Sequence, residues 1–107
     1  MRDECLIQVT CPDRAAAERI AEQVVAERLA ACATLIPGAV SFFRWQGVMQ
    51  RAEECVLHLK SRTARVQPCI DRIVALHPDA LPGITVVPLS GGHQPFLDWI
   101  VAETRRE

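Results

Sequence analysis

Cys32-Ala33-Thr34-Leu35-Ile36-Pro37-Gly38-Ala39-Val40-Ser41-Phe42-Phe43-Arg44-Trp45-Gln46-Gly47 is the stretch that decides the fold. From Cys32 to Trp45 its β-branched and aromatic residues predict one long strand. Pro37-Gly38 cannot sit in an unbroken central ladder, so a bend or bulge is expected there. Gln46-Gly47 supplies a turn. After a few ladder positions, Glu54-Cys55-Val56-Leu57-His58-Leu59-Lys60 alternates faces, with Cys55, Leu57 and Leu59 on one and Val56, His58 and Lys60 on the other. The two strands make a hairpin.

Upstream, Cys5, Ile7, Val9 and Cys11 alternate along a first strand that Pro12-Asp13 ends. Asp13 can accept hydrogen bonds from the amides of Ala15 or Ala16. Ala17, Ile20, Ala21 and Val24 then follow helical spacing, which predicts a capped helix reaching about Leu29. Downstream, Val66, Ile70, Ile73 and His77 mark a second helix. It starts either at a capping Thr63 or near Gln67, where Pro68 fits an early helical position, and it ends at His77-Pro78. Residues 84–89 read as a fourth strand, Ser90-Gly91-Gly92-His93 as a loop, and a third helix runs from about Pro95 to about Thr104.

Two strand-helix-strand units in series predict a ferredoxin-like α+β fold: a split βαβ arrangement with helices on one face of an antiparallel sheet and an additional C-terminal helix. Residues 1–107 fit one domain, since domains run to about 100–200 residues. The uncovered face ought to be polar in a monomer. Instead Leu6, Ile36, Val40, Phe42 and Val56 alternate out of phase with the core positions, so large apolar groups are expected on both faces. An obligate oligomer follows, with Phe42, Phe43, Trp45 and Val56 as interface contacts.

Composition narrows the function. Half the residues are hydrophobic, 23% are charged and the net charge is −1, with neither sign concentrated. Nucleic-acid and membrane partners are therefore not expected. The N-terminus carries no signal-peptide pattern, which points to the cytoplasm. Five cysteines, an odd number without a Cys-x-x-Cys pair, read as free thiols. Nucleophile-elbow, phosphate-loop and zinc-protease motifs are missing from the sequence, so neither an enzyme nor an organic cofactor is predicted.

Cysteine and histidine are soft donors suited to copper or zinc, and Cys11, Cys32 and His77 lie near predicted element ends where a loop could expose them. His58, alternating with Val56 and Lys60, reads as an interface or solvent residue. His77 sits at a helix C-terminus, where the dipole favours an imidazolium. Ahead of the third helix, Gly91 and Gly92 could cradle an anion with backbone amides, and Arg44 and Lys60 are the candidate cationic contacts.

Several stretches together resemble the CutA, or divalent-cation tolerance, family. They are Thr10-Cys11-Pro12-Asp13, the run from Ala26 through Leu29-Ala30-Ala31-Cys32 to Ile36-Pro37-Gly38, Trp45-Gln46-Gly47, Leu76-His77-Pro78, and Phe96-Leu97-Asp98-Trp99-Ile100. They span about Ile7 to Val101. The resemblance implies a tight PII-like homotrimer, a role in tolerance of divalent metals, and binding of copper or another divalent ion. Copper-binding relatives are associated with a cysteine near the end of strand one and a His-His-Pro sequence. Here Val9 occupies that cysteine position, Cys11 follows two residues later, His77 matches the second histidine, and Asp79 replaces the usual tyrosine. The resemblance thus implies His77 as a metal ligand, and the site could be completed by Asp79 or by Cys11 as a substitute thiolate. The alternative is a PII-like module holding a small anion or a partner segment at inter-subunit clefts through Arg44, Lys60, Gly91 and Gly92. A structural trimer serving as a platform is the third reading.

Overall fold

The structure is a computed structural model and describes residues 3–105. The single span expected over 1–107 therefore runs past the described residues at both ends. The elements are β1 (Glu4–Cys11), α1 (Arg14–Ala26), β2 (Cys32–Trp45), β3 (Val48–Arg62), α2 (Thr63–Leu76), β4 (Gly83–Pro88) and α3 (Gln94–Glu103). The strands form one antiparallel sheet in the order β2-β3-β1-β4. This is the ferredoxin-like α+β arrangement with its additional C-terminal helix.

Alternation along the strands produces the core. Cys5, Ile7, Val9 and Cys11 of β1 and Cys55, Leu57 and Leu59 of β3 point beneath the helices, where Ile20 and Val24 of α1 and Cys69 and Ile73 of α2 meet them. Each large aliphatic side chain buried there contributes about 1.5–3 kcal/mol. Leu97 and Ile100 of α3 close a smaller cluster with Ala31 and Leu89.

The helix ends have local causes. Asp13 caps α1, its carboxylate accepting the Ala16 N–H at 2.8 Å. The helix stops at Ala26, short of the expected Leu29. Arg28 adopts a left-handed conformation (φ 59°), its N–H bonds the Val25 carbonyl and the Leu29 N–H bonds the Val24 carbonyl. That is a Schellman closure, which tucks Leu29 into the core beside Val24. α2 begins at Thr63 rather than Gln67. Thr63 does not cap it; its hydroxyl donates to the Asp3 carbonyl instead. Pro68 lies inside the helix, on its exposed side, where water can take the carbonyl whose partner the proline removes.

Pro37-Gly38 forms the expected bulge, and it changes which side chains share a face. Ile36 pairs with Val56 but Ala39 pairs with Glu54, so β2 carries one extra residue between the two rungs. Gly38 takes φ 81°. Beyond the bulge, Ala39, Ser41, Phe43 and Trp45 join Ile36 on the uncovered face, while Val40 and Phe42 pair with Glu53 and Arg51 and point the other way. The placement of Val40 and Phe42 with Ile36 and Val56 is thereby corrected: an uninterrupted count of two fails across an inserted residue. At the tip, Gln46 (φ 50°) and Gly47 (φ 81°) form a two-residue turn of type I′. The hairpin overhangs the helical layer, and the molecule measures 44 Å along its longest axis against 25 and 21 Å.

Candidate functional site

Beside the overhang, past the end of β1, lies a cleft of about 800 Å3. Phe42, Phe43 and Trp45 of β2 and Gln50 and Glu54 of β3 line one wall; Thr10 at the end of β1 and Asp79, Ala80, Leu81 and Gly83 line the other. Within that second wall Gly83 pairs with Thr10 across β4 and β1, and a Cβ on it would stand 2.8 Å from the Thr10 hydroxyl. The ionisable lining consists of Arg44, Glu54 and Asp79. Arg44 donates to the Gly47 carbonyl at 3.4 Å, which turns its guanidinium toward the hairpin tip.

His77 closes the far wall from behind. Its side chain is wholly buried, Nε2–H donates to the Thr10 carbonyl at 2.8 Å, and Nδ1 accepts the Asp79 N–H at 3.1 Å. Because a carbonyl can only accept and an amide N–H can only donate, the ring is the Nε2–H tautomer with both nitrogens committed. The Asp79 carboxylate lies 4.0 Å from Nδ1 and is half-exposed toward the cleft. Cys11 is buried on the opposite face of β1, and its thiol is pushed up to about 11, chiefly by burial and further by Cys55, Asp79, Glu54 and Asp13.

Thus His77, Cys11 and Asp79 gather at one end of the sheet without forming a ligand set. The imidazole has no free lone pair, and the thiol points into the core. As arranged they do not fit a divalent ion. Among the described residues no three His, Cys, Asp or Glu side chains are grouped to hold a metal ion.

The other candidate residues separate. Arg44 pairs with Met49 beside the turn, whereas Lys60 pairs with Leu6 and Cys32, eleven rungs along β3 or roughly 36 Å away at 3.3 Å per residue. Gly91 and Gly92 follow β4 at that same distant end, Gly92 lying against Leu97. Phe42 is 68% exposed, Phe43 42% and Trp45 40%, while Val56 is half-buried in the sheet. His58 bonds Gln8 at 3.1 Å on the uncovered face. Sequence reasoning missed Glu54, although it alternates in phase with Val56 and so shares the uncovered face. No helix of the described residues is long and apolar enough to cross a membrane.

Topology and site together define a class: a ferredoxin-like α+β subunit whose β2–β3 hairpin overhangs an open sheet face and encloses a carboxylate-bearing cleft. Residues 5–103 match the family model described as CutA1 divalent ion tolerance protein, and the chain belongs to that family. It is 38% identical over 103 residues to the divalent-cation tolerance protein CutA of Pectobacterium atrosepticum, covering 96% of this chain and 94% of the relative. The structure of CutA from Xylella fastidiosa superposes with a TM-score of 0.94 at 45% identity, over 96% of this chain and 99% of that one. The Cut A1 protein of Thermus thermophilus does so at 0.93 and 36% identity, over 95% and 99%.

Proposed function

We propose that the chain acts in divalent-cation tolerance as a homotrimer that takes up copper or a similar divalent ion weakly, in the cleft beneath the hairpin, with no organic cofactor and no catalytic step. One observation carries this reading: the ionisable lining of the cleft is two carboxylates, Glu54 and Asp79, against one guanidinium, Arg44. That balance favours a cation. The Thr10 and Ser41 hydroxyls and the Gln50 side chain add neutral donors, the oxygen-rich surroundings that hard and intermediate divalent ions accept. Two carboxylates make a weak site, and a second subunit or water completes it.

Trimer formation is supported by the apolar groups left on the open face and along the hairpin, among them Ile36, Phe43, Trp45, Val48 and Val87. A second reading, an anion site of PII-like character, has Arg44 beside Phe43 and Trp45 in its favour.

Titration calorimetry with Cu(II) on the wild type and a Glu54→Gln/Asp79→Asn double variant tests the reading. Loss of the binding heat in the variant is expected, and identical isotherms would remove the cleft from metal binding. Sedimentation at micromolar concentration tests the assembly; a stable monomer overturns it.

A further inference from the structure

The β1–β3 ladder ends on a rung made of two cysteines. Cys11 pairs directly with Cys55, and both side chains lie on the helix-covered face, free and buried. The other rungs on that face of the ladder are Val9 with Leu57, Ile7 with Leu59 and Cys5 with Ser61. Only the terminal rung holds two thiols.

Register decides what two thiols can do there. The Thr63 N–H donates to the Asp3 carbonyl at 2.9 Å, continuing the β1–β3 pairing one residue beyond Glu4 and Arg62. Hydrogen-bonded and non-bonded rungs alternate along an antiparallel ladder, so the rungs of odd-numbered β1 residues are the bonded ones, Cys11–Cys55 included. The Leu89 N–H bond to the Glu4 carbonyl, which turns even-numbered β1 residues toward β4, agrees. A bonded rung holds its Cα atoms about 5.5 Å apart and its Cβ atoms at the wider end of the cross-strand range. Disulfides need Cβ atoms within about 3.5–4.5 Å, so this rung resists direct bonding of its sulfurs. The wider spacing suits sulfurs on either side of a metal ion, each at a bond length of about 2.3 Å.

We propose that Cys11 and Cys55 form a two-thiolate site for a soft monovalent cation, Cu(I) or Ag(I). It is separate from the oxygen-lined cleft and does not depend on the reading given for the cleft. On binding, the ion forms two metal–sulfur bonds, both S–H bonds break, and two protons leave to solvent; no oxidation state changes. Thiolate selects soft ions over the oxygen-seeking divalent ones, and a coordinating thiol loses its proton outright. Cys55 retains slight exposure where the β1–β3 ladder ends, next to Glu54, which gives the ion a way in.

The test uses Cu(I) supplied anaerobically as its coloured bicinchoninate complex. The wild type is expected to withdraw one ion per chain, and Cys11→Val and Cys55→Val, which keep a strand-forming apolar side chain, to lose affinity by roughly a hundredfold or more, while Cys32→Ser retains it. Wild-type affinity in either valine variant, or loss in Cys32→Ser instead, overturns the proposal. X-ray absorption on a Cys32→Ser/Cys69→Ala protein decides the matter even where the valine variants do not fold. Only Cys5 then remains besides the pair, six residues away along β1, so two sulfurs per copper support the site and fewer than two refute it. Cu(II) calorimetry on the cleft variants reads out independently, so either claim can fail alone.

Discussion

Replacing His77 with alanine separates a fastener from a ligand. The imidazole joins the turn after α2 to the end of β1 through two hydrogen bonds, Nε2–H to the Thr10 carbonyl and Asp79 N–H to Nδ1. Each is worth about 1 kcal/mol net, and removing the buried ring leaves a void that adds roughly another 1–2 kcal/mol. The expected loss is therefore about 3 kcal/mol, or roughly a hundredfold in the folding constant. Urea unfolding followed by Trp45 and Trp99 fluorescence, at one fixed protein concentration, measures it. With m of about 1–3 kcal/mol/M the midpoint falls by about 1–3 M. His77→Gln places an amide N–H near the position of Nε2 without an acceptor at Nδ1, so it should recover about 1 kcal/mol through Thr10 alone. Cu(II) stoichiometry should be unchanged in both. An alanine variant within about 0.5 kcal/mol of wild type, the range of a neutral surface change, would refute the fastening role.

Other perturbations have equally definite outcomes. Asp13→Ala removes the α1 cap and should cost about 1 kcal/mol, read as a lowered unfolding midpoint. Gly47→Ala forces a Cβ into the left-handed half of the hairpin turn and should cost about 1 kcal/mol, whereas Gln46→Asn, better suited to φ 50°, should raise the thermal midpoint. Alkaline pH should destabilise the fold. Burial pushes the Cys11 thiol up to about 11 and the Cys69 thiol to about 12, above the usual value near 9, so the folded chain holds protons that the unfolded chain releases. Their stabilisation is complete below about pH 9 and is lost as pH rises, at up to about 1.4 kcal/mol per pH unit per thiol, through pH 11 for Cys11 and 12 for Cys69. A flat profile from pH 8 to 11 in equilibrium denaturation would contradict this.

Much of the architecture was legible because it rests on local periodicity. The alternation at Cys5, Ile7 and Val9, the Asp13 cap and the Gln46-Gly47 turn each specify their element within a few residues. Local periodicity fails where it is interrupted or where partners are remote in sequence. One inserted residue at Pro37-Gly38 shifts everything beyond it by one face, so an uninterrupted count of two misplaces Val40 and Phe42 even where the bulge itself is readable. Pro68 suggested a late start for α2, but an exposed helical turn tolerates the missing donor. His77 resembled a ligand because its spacing after α2 is local, whereas the groups that occupy its nitrogens depend on tertiary approach, Thr10 lying 67 residues away. Glu54 was readable from the same alternation that placed Val56.

The extra residue at Pro37-Gly38 also gives the hairpin one place where its length can change without turning its outer half over. Removing one of the two would leave Ile36 opposite Val56 and Ala39 opposite Glu54, so Phe43 and Trp45 would keep their face and only the local bend would be lost. A one-residue deletion between Ala39 and Phe43 has no such slack and must either form a new irregularity or turn side chains to the other face. Selection on this segment should therefore pass a one-codon deletion at 37–38 more readily than one farther out.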